Sequence, residues 1–188
     1  PEEILSELKA FLAGLDLKTQ PINYITISGS GEPTLNSRLG EIIREIKRLT
    51  NIPVCVITNS SLLYDPKVRE EIAAADLIMP TLNGVTPQVF ERVCRGHADL
   101  NLKNIIQGLI ALRKEYRGKI FLEIMLVKGI NDRIAEIRKM KDVVEEINPD
   151  KIFLTLPERV TSEKWVRPPG LKTLQKIKGI LGEKCEIV

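Results

Sequence analysis

Residues 24–35 of this chain read YITISGSGEPTL, and this stretch decides the fold because a run of β-branched and apolar residues passes directly into a glycine-rich turn. Tyr24 to Ser28 form a short, nearly continuous apolar run, which predicts a strand that is buried on both faces. Gly29 and Gly31 allow a sharp turn and expose backbone amides, and Glu32 places a carboxylate where the strand ends. No Gly-Lys-Ser/Thr follows, so the turn is not a phosphate loop of the P-loop type.

Four further β-branched runs bounded by turn residues follow this strand. They predict strands over Val54–Thr58, Leu77–Met79, Ile120–Val127 and Lys151–Leu156. Apolar stripes at helical spacing predict helices near residues 4–12, 39–49, 102–116, 134–147 and 171–181. Asp65 and Asp132 are candidate helix caps, and the Asn148-Pro149 step is a predicted helix end.

The regular alternation of strands and helices predicts an α/β fold with parallel strands. It is typical of a partial TIM-type (β/α)6 barrel whose first strand and following loop are missing from the chain. Residues 1–157 are the predicted barrel domain, and residues 158–188 a basic C-terminal extension with one helix. In such folds chemistry lies at the carboxyl ends of the strands, so the residues that follow each strand are the candidate site.

Composition narrows the class of protein. The 188 residues suit one core of ordinary size, and 43% apolar residues with a net charge of +3 exclude disorder as the main state. No run approaches the ~18 apolar residues of a membrane span. Cys55, Cys94 and Cys185 lie far apart, which disfavours a disulfide framework and favours a reducing, cytoplasmic setting. Residues 151–188 hold 8 basic and 4 acidic residues, either a weak hint of nucleic-acid binding or a solvated helix face.

Polar side chains follow or interrupt the later strands. Glu123 interrupts an apolar strand and needs a hydrogen-bond partner or a cation, so a structural and a functional role both stay open. His97 is either a loop residue or a proton donor, and Trp165 either packs on the C-terminal helix or stacks on a base. The other candidates at the strand ends are Asn59, Thr81, Asn83, Lys128 and Leu156.

The order of four motifs resembles the radical S-adenosylmethionine (radical SAM) enzymes over about residues 1–157. These motifs are Ser-Gly-Glu-Pro at residues 30–33, Thr-Asn-Ser at 58–60, Thr-Leu-Asn at 81–83 and Lys-Gly-Ile-Asn-Asp at 128–132. The runs SGSGEPTL, TNSSLL and LVKGIND resemble more closely a subgroup of Fe–S oxidoreductases of uncertain substrate.

The resemblance implies a role for each matching residue. Ser30, Gly31 and Glu32 fall on the Gly-Gly-Glu-Pro motif that binds the methionine amino group of SAM, with Ser30 in place of its first Gly. Thr81 falls where the family contacts the ribose or carboxylate of SAM, and Asn83 where Asp is common. The remaining assignments are Leu156 near the adenine, and Asn59, Glu123 and Lys128 in the substrate or SAM pocket.

The resemblance also implies an activity and its cofactors. A reduced [4Fe–4S] cluster would cleave SAM to a 5′-deoxyadenosyl radical, which abstracts hydrogen from a substrate that is a small molecule, an RNA base or a protein. An electron donor such as flavodoxin or ferredoxin is also implied. No membrane partner is expected. The family's Cys-x-x-x-Cys-x-x-Cys motif is absent from the 188 residues. We therefore expect no metal in this chain, cluster cysteines upstream of Pro1, and an inactive fragment.

Two other classes of function remain open at this stage. One is a non-catalytic βα domain that binds a nucleotide-like ligand or a partner protein. The other is an ordinary barrel lyase or aldolase in which Lys128 forms a Schiff base.

Overall fold

The computed structural model describes residues 2–16, 19, 21–157, 163 and 165–188 of the chain. Helices and strands alternate along it. In chain order they are α1 (Glu2–Ala13), β1 (Ile25–Ile27), α2 (Leu39–Leu49), β2 (Val54–Thr58), α3 (Pro66–Ile72), β3 (Leu77–Pro80), α4 (Pro87–Cys94), α5 (Leu102–Glu115), β4 (Lys119–Met125), α6 (Ile134–Ile147), β5 (Lys151–Thr155), α7 (Leu171–Leu181) and β6 (Cys185–Ile187), with a 3₁₀ turn at Pro33–Leu35.

Within the described residues the strands form one parallel sheet in sequential order, from β1 to β6. The strands at the two ends of this order do not pair with each other, so the barrel is open. The predicted class, a partial TIM-type barrel of parallel strands, is confirmed. In this part of the chain no helix is both long and apolar enough to cross a membrane.

The core lies between the outer face of the sheet and the helices. Alternate residues of a strand point to opposite faces. In β4, Ile120, Leu122 and Ile124 are fully buried in the core, whereas Phe121 and Met125 are half-buried on the concave face. The expectation that the strands are buried on both faces is therefore wrong for β4 and β5, because the open barrel leaves their concave face uncovered. It is also wrong for β1 at the edge of the sheet, where Thr26 is exposed and Ile25 and Ile27 are half-buried.

Helix ends follow the sequence in part. Asp65 caps α3, since its side chain accepts a hydrogen bond from the backbone N–H of Lys67 at 2.9 Å, and α6 ends at Asn148 as predicted. Asp132 does not cap α6. Its Oδ1 instead accepts a hydrogen bond from the backbone N–H of Gly129 at 2.7 Å, which closes the turn after β4.

Two elements, α4 and β6, were not predicted from the sequence. The structure adds β6 to the predicted single helix of the C-terminal segment, and β6 pairs in parallel with β5. Leu174, Ile177 and Leu181 of α7 join the same core as the other helices. Residues 171–188 thus extend the sheet by one unit. The predicted domain boundary after Pro157 stays a prediction, because residues 158–162 lie outside the described part.

Candidate functional site

Glu32 is held at the carboxyl end of β1 by four hydrogen bonds from its own chain. Its Oε1 accepts from the backbone N–H of Thr34 at 3.1 Å, from the Thr34 hydroxyl at 2.6 Å and from the Thr58 hydroxyl at 2.6 Å. Its Oε2 accepts from the backbone N–H of Asn59 at 2.7 Å. The carboxylate therefore joins the end of β1 to the end of β2.

The Ser30–Gly31 backbone beside Glu32 is exposed. A Cβ at Gly31 would meet no atom within 4 Å, and neither Gly29 nor Gly31 has a positive φ. The prediction that Gly29 and Gly31 are needed for a sharp turn is therefore wrong. An open approach to the backbone is the property that glycine supplies at this position.

The end of β2 is tied to β3 through Ser60. This residue is fully buried and has a φ of 69°, a left-handed conformation that a residue other than glycine adopts only when its surroundings hold it. The Ser60 hydroxyl donates to the Thr81 carbonyl at 2.8 Å, and the Thr81 N–H donates to the Thr58 carbonyl at 2.9 Å. Asn59, next to Ser60, is exposed at the rim.

Glu123 lies on the concave face of β4 between two threonine hydroxyls. Thr155 of β5 donates to Oε1 at 3.0 Å, and Thr81, just after β3, donates to Oε2 at a longer 3.5 Å. An isolated bridge between Thr81 and Glu123 also extends the pairing of β3 and β4 toward the rim. Glu123 therefore has the hydrogen-bond partners that a carboxylate in an apolar strand needs. Its side chain also lines a cavity.

Asn83 and Asn131 lock the ends of β3 and β4 together. Asn83 Oδ1 accepts from the Met125 N–H at 2.7 Å. Asn131, which is buried, donates through Nδ2 to the Asn83 carbonyl at 2.9 Å and to the Met125 carbonyl at 2.7 Å, and accepts from the Val127 N–H at 2.7 Å. This role of Asn131 was not predicted from the sequence, although the residue lies inside the Lys-Gly-Ile-Asn-Asp motif.

Two cavities open at this rim, and they divide the predicted residues. The larger, about 570 Å³, is lined by Glu123 and Leu156 among others. The smaller, about 220 Å³, is lined by Asn59, Thr81 and Asn83. Neither lining includes the segment of residues 30–32 or Lys128. Lys128 is exposed, so the structure offers no enclosed site for the Schiff-base chemistry considered above.

The two other singled-out residues lie on different surfaces. His97 is exposed in the loop before α5, with Nδ1 3.4 Å from an oxygen of Asp99, and lines neither rim cavity. Trp165 lines the larger cavity, where its Nε1 donates to Glu163 at 3.1 Å and the Arg92 guanidinium lies 5.5 Å from the centre of its ring.

The cysteines do not fit a cluster site. Cys55 and Cys185 are buried in β2 and β6, and burial raises the pKa of each thiol to about 11. Cys94 is exposed at the end of α4. Among the described residues, no group of three or more His, Cys, Asp or Glu side chains is arranged to hold a metal ion. These residues therefore offer no set of three thiolates for a [4Fe–4S] cluster.

Comparison with known proteins decides the family. The model of the "Radical SAM superfamily" matches residues 1–140. The chain belongs to the radical SAM superfamily. The resemblance drawn from the motifs is confirmed, and the superfamily is one of enzymes with radical chemistry.

Several curated relatives of this radical SAM chain are longer than it is. It is 36% identical over 186 residues to a protein named GTPase Obg of Brachyspira hyodysenteriae (99% of this chain, 27% of that protein). It is 34% identical over 183 residues to a UPF0026 protein of Methanocaldococcus jannaschii (97% and 56%). It is 32% identical over 144 residues to a probable GTP 3′,8-cyclase of Methanococcus aeolicus (74% and 46%). The chain thus spans about a quarter to just over half of each of these relatives.

Solved structures share the fold of the radical SAM chain. A domain of a pyruvate-formate lyase-activating enzyme from Bacteroides vulgatus has a TM-score of 0.71 at 20% identity, covering 87% of this chain and 98% of that one. SuiB of Streptococcus suis bound to S-adenosylmethionine has a TM-score of 0.67 at 17% identity, covering 92% and 38%. At these identities the likeness shows the open barrel alone.

Proposed function

We propose that the protein containing this chain is a radical SAM enzyme that uses a reduced [4Fe–4S] cluster to cleave SAM and abstract a hydrogen atom from a substrate. The observation that carries the proposal is the motif segment of residues 30–33 at the carboxyl end of β1. There the exposed Ser30–Gly31 backbone stands next to a Glu32 carboxylate that is already fixed to β2.

The residues of this chain bind and orient SAM in the proposed function. The backbone of Ser30 and Gly31 is open to the methionine amino group, because both residues are exposed and a Cβ at Gly31 would meet no atom within 4 Å. Thr81 carries a hydroxyl that suits the ribose or carboxylate of SAM, Leu156 supplies apolar surface for the adenine, and Glu123 is left for the substrate. Asn83 serves chiefly through its contact with Met125. Asn59 completes the pocket, and the exposed Lys128 is left for a substrate that reaches the outer rim.

The described residues include the exposed Ser30–Gly31 backbone that the proposal assigns to SAM, but they offer no set of three thiolates for the cluster. We propose that cysteines outside these 188 residues hold it, in keeping with a UPF0026 relative of which the matched residues make up only 56%. A structure of the radical SAM methyltransferase TsrM from Kitasatospora setae, with cobalamin and a [4Fe–4S] cluster bound, has a related fold (TM-score 0.55). An electron donor such as flavodoxin or ferredoxin and a cytoplasmic setting belong to the same proposal.

The test uses the full-length protein, loaded with iron and sulfide under anaerobic conditions and then reduced in the presence of SAM. We expect the absorbance of an iron–sulfur cluster and the release of 5′-deoxyadenosine. Failure to form a cluster, or a reduced cluster that leaves SAM intact, would overturn the proposal and favour a non-catalytic βα domain.

A pair of glycine variants tests the binding residues. Gly31→Leu fills the open space beside the backbone, and Gly179→Leu fills equally open space on the exposed face of α7. We expect both variants to fold, and only Gly31→Leu to lose most of the SAM cleavage. Equal activity of the two variants would show that SAM does not approach the backbone at Gly31.

A further inference from the structure

The larger cavity has a carboxylate and a hydroxyl on its floor, from Glu123 and Thr155, and a charged mouth. Its volume of about 570 Å³ is that of a small-molecule site. Glu123, Met125 and Thr155 of β4 and β5 line it on the concave face of the sheet. At the other side it is lined by Arg92 and Arg95 of the α4 end and by Glu163 and Trp165.

The charges at the mouth are arranged around one carboxylate. Arg95 Nη1 lies 2.6 Å from Glu163 Oε1, and Trp165 Nε1 donates to Glu163 Oε2 at 3.1 Å. Glu163 thus occupies a position flanked by a guanidinium and an indole N–H, which are the donors that bind carboxylates and phosphates. The chain's own carboxylate stands where an external anion would be bound.

Arg92 is the second cation at this mouth. It lies three residues before Arg95, and its guanidinium lies over the Trp165 ring, 5.5 Å from the ring centre. No salt bridge or hydrogen bond of Arg92 to a carboxylate is present among the described residues. Its charge is therefore available to a ligand that enters the cavity.

We propose that the anionic end of the enzyme's substrate, a carboxylate or a phosphate, binds at this mouth to Arg92 and Arg95 and displaces Glu163. This inference rests on the proposed function and adds the chemical class of the substrate. The floor sets the direction of binding, because the Glu123 carboxylate repels an anion and accepts a hydrogen bond from a hydroxyl or amine. The substrate is a small molecule with an anion at one end and such a donor at the other.

The test measures anion binding by the full-length protein without SAM cleavage. Trp165 is the one tryptophan of the 188 residues, so the fluorescence difference between the protein and its Trp165→Phe variant reports on this mouth. Citrate and pyrophosphate are titrated separately at an ionic strength held constant with KCl. Tighter binding of citrate assigns a carboxylate to the substrate, and tighter binding of pyrophosphate a phosphate.

Opposite effects of two substitutions separate an anion site from a structural ion pair. We expect Arg92→Gln and Arg95→Gln to weaken binding of the better anion at least tenfold. Glu163→Gln should tighten it several-fold, because it removes the competing carboxylate. If Glu163 only ties the chain together, Glu163→Gln and Arg95→Gln will change binding in the same direction, and the proposal fails. Arg117→Gln, exposed before the amino end of β4, is the matched control and should bind like the unaltered protein.

Two further results overturn the inference. One is the absence of saturable, arginine-dependent binding of either anion. The other is mutual exclusion of the bound anion and SAM, which would assign the arginines to the carboxylate of SAM. Both readouts are independent of the release of 5′-deoxyadenosine. The proposed anion site can therefore be refuted without refuting the proposed function, and the proposed function can be refuted without refuting the anion site.

Discussion

Replacement of Glu32 by glutamine should destabilise the rim although the side chain keeps its shape. All four groups that contact the carboxylate are donors: the N–H and hydroxyl of Thr34, the hydroxyl of Thr58 and the N–H of Asn59. An amide has one acceptor oxygen. If that oxygen replaces Oε1, the amide NH₂ faces the Asn59 N–H, which lies 2.7 Å from Oε2 in the unaltered chain, and two donors meet.

The expected loss of stability is the sum of one lost and three weakened hydrogen bonds. A hydrogen bond to a charged group contributes about 1.5–3 kcal/mol and a neutral one about 1 kcal/mol. Loss of the Asn59 bond, with a weakening of about 0.5 kcal/mol in each of the other three, gives about 3 kcal/mol, toward the low end because Glu32 is half-buried. We expect SAM affinity to fall too, because the Ser30–Gly31 backbone is positioned through Glu32.

The assay is urea unfolding followed by circular dichroism, together with equilibrium binding of SAM. Glu91→Gln, an exposed glutamate of α4, is the matched control and should change the free energy of unfolding by less than about 0.5 kcal/mol. Thr58→Val and the double variant complete a cycle, with an expected coupling of about 1–2 kcal/mol between Glu32 and Thr58. A loss below about 1 kcal/mol in Glu32→Gln, with no coupling to Thr58, would refute the reasoning.

Three further predictions concern stability, each measured as the free energy of unfolding in urea. Asn131→Ala removes three hydrogen bonds at the ends of β3 and β4 and should lower the free energy of unfolding by about 3 kcal/mol. Asn104→Ala, at an exposed position, is the control and should change it little. Equal losses in the two variants would contradict the role given to Asn131. Gly108→Ala places a Cβ 2.5 Å from backbone atoms of Leu63 and Tyr64 and should destabilise the protein strongly. Gly179→Ala is the control, because its Cβ has open space, and it should stabilise the protein by up to about 1 kcal/mol. An unchanged stability of Gly108→Ala would show that α5 can move away from the loop that contains Leu63 and Tyr64. Arg69→Leu removes the donors to the Leu63 and Tyr64 carbonyls and the ion-pair partner of Glu115. The free energy of unfolding should fall by about 2–3 kcal/mol. An unchanged stability would mean that water replaces the guanidinium.

Local pattern and burial agree in several of the elements that the sequence predicts. The stripe of α2 coincides with the buried residues Leu39, Ile42, Ile43 and Ile46, and Val54–Thr58 is a strand over its predicted length. The three residues of β6 are too few to show a period, and they become a strand only because the end of β5 is available for pairing. The eight-residue α4 is only about two turns long, too short for an apolar stripe to repeat as it does in the longer helices.

The site could be predicted as a set of positions but not as a set of contacts. Glu32 was predicted at the rim because it follows a strand, but its bond to Thr58 joins residues 26 apart. Asn131 escaped prediction because its partners are carbonyls of Asn83 and Met125, which only the parallel pairing of β3 and β4 brings together. Spacing along a chain gives the end of the strand at which a residue lies, and topology gives the neighbours that it meets there.

The hydrogen bonds at the rim form a continuous series from β1 to β5. Glu32 joins β1 to β2, and Ser60 joins β2 to Thr81 after β3. Glu123 accepts hydrogen bonds from the hydroxyls of Thr81 and Thr155, which links β3, β4 and β5. Every one of these links is made by side chains of the protein itself, so the strand ends are already ordered before a ligand arrives. A ligand that binds there loses little affinity to the ordering of its site. The outer face of the sheet, where Ile120, Leu122 and Ile124 are buried, contributes the stability that allows the concave face to keep these polar residues at its edge.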